Sequence, residues 1–420
     1  MYWALSIFIL SLHSILRYLS SLKKMNLLQI NTVGNIGSTG RIAEQIGVEA
    51  IRNGWKSCIA CARAAQSKSE IIRIGSKWHR YPNVLWTRIF DSDSPIAKIS
   101  TLKLINDIKK ISPDIIHLHN LHGYYLHVPT LLEFLGEYDR PVVWTLHDCW
   151  PFTGHCAYFD FCGCKKWKTL CSDCPQKNKY PASWSFDRSS KNHIEKTAII
   201  SKIKKLTFVP VSKWMESIAL ESKVKFKNIQ TIRNGIDIGV FQPTQKITAN
   251  SINNVLFAAN KWEPRKGLHF IPEIAKRLGA DYKLTVLGAS REQKKYLEER
   301  DIITQKHTNN IQQMCDFYSQ ASVFVNPTLE ETLSLVNMEA IACGTPVVTF
   351  ASGGTPETVP NEKVGAVVKR GDIDAMVCQI KKFAALDKLE TAKICRQAAL
   401  DNFDAKAAFK KYIDLYESLT

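Results

Sequence analysis

The chain has 420 residues, enough for two domains, because single hydrophobic cores stop growing near roughly 250–300 residues. Its 45% hydrophobic and 23% charged composition, with no low-complexity tract or fixed-period repeat, excludes disordered and fibrous classes. A net charge of +17, with 16 Lys/Arg against 5 Asp/Glu between Lys165 and Arg233, favours an anionic partner: nucleic acid, a membrane surface or a phosphate-bearing substrate.

Residues 1–24 carry an apolar stretch from Tyr2 to Leu16, interrupted by His13 and short of the roughly 20 residues a spanning helix needs. Arg17, Lys23 and Lys24 follow the apolar run, whereas a secretory signal places its cations first. The segment reads either as an interfacial helix or as sequence ahead of a start at Met25. From Met25 onward, apolar runs alternate with helical segments, the pattern of parallel sheets covered by helices. Leu27–Asn31, Ile115–Leu118, Val142–Thr145, Leu206–Val211 and Ile229–Ile232 read as strands of a first domain, 25–243. Thr244–Asn253 reads as a linker, and Val255–Ala259, Leu284–Gly288, Val323–Asn326 and Val347–Phe350 as strands of a second domain, 253–400. Asp404–Leu419 has helical spacing at Ala408, Tyr412, Leu415 and Leu419, so 401–420 is expected to pack back on the body. In such sheets ligands bind beyond the carboxyl ends of the strands, which places the expected site in a cleft between the domains.

Gly34, Gly37 and Gly40 occupy the first strand-helix loop, where glycine lets the backbone approach a ligand. Their spacing is not GxGxxG, and the strand-like Ser57–Ala60 is followed by Cys61-Ala62-Arg63 without an acid, which disfavours NAD. His119 and His147 each follow a predicted strand and so sit at the cleft edge.

Twelve cysteines in a large chain without a convincing secretory signal imply reduced thiols and a cytoplasmic setting. Six of them fall between Cys149 and Cys174. Four thiolates suffice for a closed zinc site, and the candidate ligands are Cys156, Cys162, Cys171 and Cys174, the alternative being ordinary buried thiols. The basic segment contains Trp167, Trp184 and Trp214 but no recognised nucleic-acid module, so no nucleic-acid partner is expected.

Asn326-Pro327-Thr328 ends a strand, Glu330-Glu331 follow in a loop, and Leu335–Cys343 has helical periodicity closed by Gly344 and Pro346. Along a helix the eight positions from Glu331 to Glu339 rise about 12 Å and turn off register, too far for an acid/base pair on one bond. A split role suits them better: Glu331 accepting from sugar hydroxyls, Glu339 from two vicinal ribose hydroxyls. The alternative is an ordinary loop glutamate and an ordinary helix glutamate.

This stretch resembles the Glu-x7-Glu motif of retaining family 4 glycosyltransferases, as Glu331-TLSLVNM-Glu339 followed by AIACGTPVV. GNIGSTGR (Gly34–Arg41), PDIIHLHN (Pro113–Asn120), TLHD (Thr145–Asp148), RNGIDIGVFQP (Arg233–Pro243), RKGL (Arg265–Leu268) and SGGTPE (Ser352–Glu357) stand in family order across residues 25–420. The TLHDCWPFTGHC run is similar to that of bacterial exopolysaccharide transferases of the colanic-acid type. The resemblance implies a GT-B fold of two Rossmann-like domains facing across a cleft, the first binding acceptor and the second a UDP- or GDP-linked sugar. It implies retention at the anomeric carbon, no cofactor required for catalysis, and a lipid-linked glycan acceptor at an anionic membrane surface. By residue, it implies Glu339 on the ribose, Glu331 and His147 on the donor sugar, and Lys266 on the diphosphate. Lys261 stands where the family usually has Arg, and a Lys neutralises phosphate without the bidentate fork; Arg265 is the alternative cation. Gly37 and the backbone of Thr332, Leu333, Ser334 and Leu335 complete the donor side, with His119 and Ser38 toward the cleft or acceptor.

Overall fold

The computed structural model describes residues 25–245, 253–305 and 310–420. The expectation for residues 1–24 and most of the linker expectation lie outside these. The first sheet contains β1 (Asn26–Gly34), β2 (Lys56–Ala64), β3 (Glu70–Arg73), β4 (Ile115–Leu118), β5 (Val142–Leu146), β6 (Leu206–Pro210) and β7 (Asn228–Ile229) in the order β3-β2-β1-β4-β5-β6-β7. The second contains β8 (Asn253–Ala258), β9 (Tyr282–Leu287), β10 (Ile303–Gln305), β11 (Val323–Asn326), β12 (Val347–Phe350) and β13 (Gly365–Val368) in the order β10-β9-β8-β11-β12-β13. Every pairing is parallel. Strands β4, β5, β11 and β12 are largely apolar, each with one polar residue, and are buried along their whole length, as strands covered by helices on both faces must be.

In each sheet the strand order reverses beside the first strand, and a crevice opens at that point beyond the carboxyl ends. In the first sheet it lies between β1 and β4, next to the Gly34–Gly40 loop and His119. In the second it lies between β8 and β11, next to Lys261–Lys266 and Glu330–Glu331. Topology alone therefore brings the sequence-predicted residues to the two crevices.

The helix Ala405–Leu419 crosses back to the first sheet. Its Phe409, Tyr412, Ile413 and Tyr416 pack with Leu27, Ile42, Ile46, Ile115 and Val143 in one buried cluster. Tyr416 shares a 2.6 Å hydrogen bond with His117 Nδ1, and Tyr412 one of 3.1 Å with the Thr145 hydroxyl. The last helix thus ties the C-terminal end of the chain to the strands that carry the histidines.

Further bonds join the two sheets' domains directly. The Glu357 carboxylate accepts from the backbone N–H groups of Lys213 and Trp214 at 3.0 and 2.9 Å and from Arg233 Nε at 2.8 Å. It thereby satisfies amides at the start of the helix Lys213–Leu220, where an anion is favoured. Glu330 is fully buried and accepts from the amides of Phe159 and Phe161 at 3.0 and 3.1 Å; burial pushes its carboxyl up to about 7.

Candidate active site

Two glycines fix the path of the loop after β11. Gly267 has φ +76°, and a Cβ there would stand 2.0 Å from the Pro327 carbonyl oxygen. Gly353 has φ +60°, and a Cβ there would meet the Glu331 carbonyl oxygen at 2.0 Å. Only glycine accommodates both the left-handed backbone and the close approach. Packed in this way, the loop carries Glu331 against the turn that holds Arg265 and Lys266.

The Lys266 ammonium forms an ion pair with Glu331 Oε2, and Arg265 Nη1 stands 3.9 Å from the same oxygen. Burial works against ionisation of Glu331, but Lys266 and Arg265 outweigh it and hold the carboxyl below its usual range. Glu331 is therefore ionised at neutral pH and acts as a hydrogen-bond acceptor rather than a proton donor. Arg265 lies over the Tyr158 ring at 3.8 Å and donates to the Glu330 carbonyl at 3.1 Å. The predicted Lys261 lies at the rim: its side chain is 79% exposed and meets Glu263 Oε1 at 3.3 Å, whereas Arg265, 12% exposed, meets Oε2 of the same carboxylate at 3.3 Å. The half-buried cation pair beside Glu331 is thus Arg265 and Lys266.

The helix Leu335–Ala342 starts immediately behind this pair. Ser334 stands at its N-cap but gives the helix no side-chain hydrogen bond, and no acid lies in the first turn. The Ser334 hydroxyl instead accepts from Asn326 Nδ2 at 2.9 Å, and the same amide donates to Asn337 Oδ1 at 2.8 Å. The helix start keeps amides without a cap, the usual setting for an anion. Thr332 donates its hydroxyl to the His147 carbonyl at 3.1 Å, and Leu333 is buried in the core, so both shape the loop by packing. Glu339 follows on the helix and accepts from the Tyr318 hydroxyl at 2.9 Å. Burial raises its carboxyl above the usual range, against the opposing pull of Tyr318 and Arg41. The latter residue belongs to the first domain's helix Gly37–Arg52, so Glu339 faces the cleft from the second.

On the first domain, His119 and His147 form a 2.9 Å Nδ1···Nε2 contact, and His119 Nε2 stands 3.0 Å from Gln29 Oε1. Gln29 donates its Nε2 to the Ala43 carbonyl at 2.8 Å, which leaves Oε1 as an acceptor. Hydrogen-bond consistency then assigns the tautomers: His119 donates from Nε2 and accepts at Nδ1, so His147 donates from Nε2 and keeps Nδ1 as an acceptor. Burial pushes the His147 imidazole down to about 4 and those of His117 and His119 well below their usual value. Asp148, next in sequence, accepts from His122 Nε2 at 2.7 Å. Gly37 and Ser38 are exposed at the start of the helix Gly37–Arg52, whose N-cap Ile36 offers no side-chain bond.

Residues 39–240 match the family profile "Glycosyltransferase Family 4", and residues 243–401 match "Glycosyl transferases group 1". The chain belongs to the family 4 glycosyltransferases. This glycosyltransferase is 22% identical to the colanic acid biosynthesis glycosyl transferase WcaC of Escherichia coli K12 over 94% of its own length and 100% of that protein's. Its fold is that of sucrose-phosphate synthase from Thermosynechococcus elongatus, with a TM-score of 0.69 at 16% identity over 94% and 99% of the two chains. It is likewise that of Anabaena HepE in complex with UDP-glucose, with a TM-score of 0.65 at 15% identity over 94% and 100%. The two-domain GT-B architecture expected from the sequence is the observed one.

The cysteine set that the sequence suggested does not gather as a group. Among the described residues, no three His, Cys, Asp or Glu side chains stand as placed to hold a metal ion. Cys162 is exposed and donates its thiol to the Phe159 carbonyl at 3.1 Å. Cys156, Cys171 and Cys174 instead share a small hollow with Cys164, a residue the sequence reading left out. Sequence reasoning also passed over Arg41, His122, Tyr158 and Tyr318; their roles depend on partners distant in sequence, which spacing does not reveal. Among the described residues no helix is long and apolar enough to cross a membrane.

Proposed function

We propose that this glycosyltransferase moves a hexose from a UDP- or GDP-linked donor to a lipid-linked glycan of a surface polysaccharide, with retention of configuration. The observation that carries the reading is the half-buried Arg265–Lys266 pair beside Glu331, next to an uncapped helix start at the crevice of the second sheet. A nucleoside diphosphate leaves with negative charge growing on its oxygens, and preorganised cations and amides stabilise that charge. On donor binding the phosphate oxygens compete with Glu331 for Lys266, which frees the carboxylate to accept from sugar hydroxyls. Glu339 accepts from the ribose hydroxyls, and the Nδ1 acceptor of His147 takes a hydroxyl from the opposite wall. The match to a colanic acid enzyme and the fold likeness to a protein bound to UDP-glucose support the donor class and the polysaccharide setting. Retention rests on the resemblance of the Glu331–Glu339 motif alone. In a thermal-shift panel of UDP- and GDP-sugars, at least one is expected to raise the melting temperature, and that one should then serve as donor. Failure of every nucleotide sugar to stabilise the protein overturns the reading; sugar release only with free phosphate would make it a phosphorylase.

We further propose that the cysteine-rich segment takes a structural zinc ion, with Cys164 in place of Cys162. Cys156, Cys164, Cys171 and Cys174 line a hollow of about 10 Å³, room for roughly one water-sized sphere. Four thiolates are the donor set of a closed structural site, though these thiols must turn inward to form it. Metal analysis of purified protein is expected to give close to one zinc per chain, lost in Cys164→Ser and kept in Cys162→Ser. Less than a few tenths of an equivalent rejects the site.

A further inference from the structure

The cysteine-rich segment reaches out of the first domain and touches the loop of the second that carries Glu331. The part that does so, residues 157–161, is anchored in its own domain. Cys149 donates its amide to the Ala157 carbonyl at 3.0 Å. The Phe159 carbonyl accepts from the Cys164 amide at 3.2 Å and from the Cys162 thiol at 3.1 Å. The buried Phe159 ring stacks on the buried Trp167 ring, their centres 4.7 Å apart, within the first domain's core. What remains for the other domain is the row of backbone amides and the half-buried Tyr158 ring.

Both are taken up by residues around the donor site. The amides of Phe159 and Phe161 donate to the two carboxylate oxygens of Glu330. A carboxylate buried without donors is costly, so Glu330 and these amides satisfy each other across the domain boundary. Arg370 Nη1 donates to Asp160 Oδ2 at 2.8 Å and to the Leu329 carbonyl at 3.2 Å. That ion pair is more than a third exposed on both sides and contributes little by itself. The Tyr158 ring covers one face of the Arg265 guanidinium at 3.8 Å, at a site where Arg265 is only 12% exposed; a cation on an aromatic face gains most when water is excluded.

The contacts converge on one short loop. Leu329 donates its amide to the Arg265 carbonyl at 2.7 Å, and Arg265 Nη1 donates to the Glu330 carbonyl at 3.1 Å. The next residue, Glu331, is the partner of Lys266. An unheld arginine samples many rotamers, and ordering it on binding lowers affinity. Here the first domain orders it in advance: the ring fixes the plane of the guanidinium, and Glu330 fixes the loop to which that guanidinium donates.

We infer that Tyr158 is a positioning residue for the donor diphosphate: carried on the cysteine-rich segment of the first domain, it holds Arg265 of the second in the orientation in which the phosphates meet it. The donor half of this inference rests on the transferase reading above, whereas the hold on the loop does not.

Hydrogen exchange of the full chain reads the hold without any ligand. Tyr158→Leu, which keeps apolar volume but removes the ring, is expected to speed exchange of the 329–333 amides about tenfold while strand β8 of the same domain is unchanged. Tyr158→Phe keeps the ring and is expected to exchange like wild type. Calorimetric titration with UDP and with GDP reads the consequence. The nucleotide that binds wild type is expected to bind Tyr158→Leu about tenfold more weakly and Tyr158→Phe with nearly wild-type affinity. Unchanged exchange in Tyr158→Leu overturns the inference, as does equal acceleration in β8 or a Tyr158→Phe variant that behaves like the leucine. Faster loop exchange with undiminished nucleotide affinity likewise overturns the role toward the diphosphate. A wild-type protein that binds neither nucleotide, with the loop loosened in Tyr158→Leu, upholds the hold of Tyr158 on Arg265 and removes the transferase reading instead.

Discussion

Replacing Lys266 by Ala is expected to lower the turnover of sugar transfer by about 10²–10³-fold at saturating donor, the usual cost of removing one preorganised group from a developing charge. Lys266 is half-buried and ion-paired with Glu331, with Arg265 also beside that carboxylate. Burial pulls the Lys266 ammonium below its usual range and Glu331 pulls it back, so the cation is held ready in a site with little water to screen it. The expected loss lies mainly in kcat, because the charge to be stabilised grows only as the sugar–phosphate bond breaks. Arg265→Lys is expected to lose activity as well, since a lysine does not stack on Tyr158 as a planar cation while also holding the Glu330 carbonyl and the Glu263 carboxylate. Lys261→Ala, by contrast, is expected to change turnover little, because that side chain is exposed and screened. A Lys266→Ala enzyme turning over at nearly the wild-type rate, with its fold intact by circular dichroism, would remove the cation pair from the mechanism. Near-normal turnover in Lys266→Ala together with collapse in Lys261→Ala would instead return the diphosphate to the position that the family pattern suggests.

The sheets were legible wherever a strand is buried on both faces. Ile115–Leu118, Val323–Asn326 and Val347–Phe350 are short apolar runs whose ends coincide with the observed strands. The edge strands β3 and β10 were not legible: Glu70–Arg73 and Ile303–Gln305 are short, half-exposed and mixed in composition, so no period marks them. The periodicity of the last helix was readable, but its destination was not, because the same apolar stripe would have covered either sheet. At the site, the Glu331–Glu339 segment announced itself through a recurring motif. The groups that hold it in place did not, since Glu330 meets Phe159 and Phe161 across 171 and 169 positions of chain. The choice between Lys261 and Arg265 likewise turned on burial: four positions along a loop decide which cation faces Tyr158, and sequence spacing carries no information about that packing.

The strand ends that carry His119 and His147 also set an acid limit on the fold. Both imidazoles, with His117, are neutral and buried in the native state, and burial lowers each below its usual value. In the unfolded chain they titrate near 6.5, so below that pH the unfolded state binds protons that the native state refuses. By linkage, stability is fully present above about pH 6.5 and is lost as the pH falls toward the native value of about 4 for His147. That interval of roughly 2.5 units corresponds to about 3 kcal/mol for this one residue. Carboxylates contribute acid sensitivity of their own, so the informative quantity is the difference between wild type and His147→Asn. Urea unfolding midpoints measured from pH 7.5 to 4.5 are expected to fall more steeply for wild type, because the asparagine carries no titrating group into the unfolded chain. Parallel curves would mean that His147 is protonated in the native state or sits in water. The same placement bears on catalysis: an imidazole that stays neutral from pH 5 to 8 offers its Nδ1 as a fixed acceptor throughout. The pH profile of kcat/KM is therefore expected to lack an inflection near 6.5 from His147, whose task is to orient a hydroxyl rather than to exchange a proton.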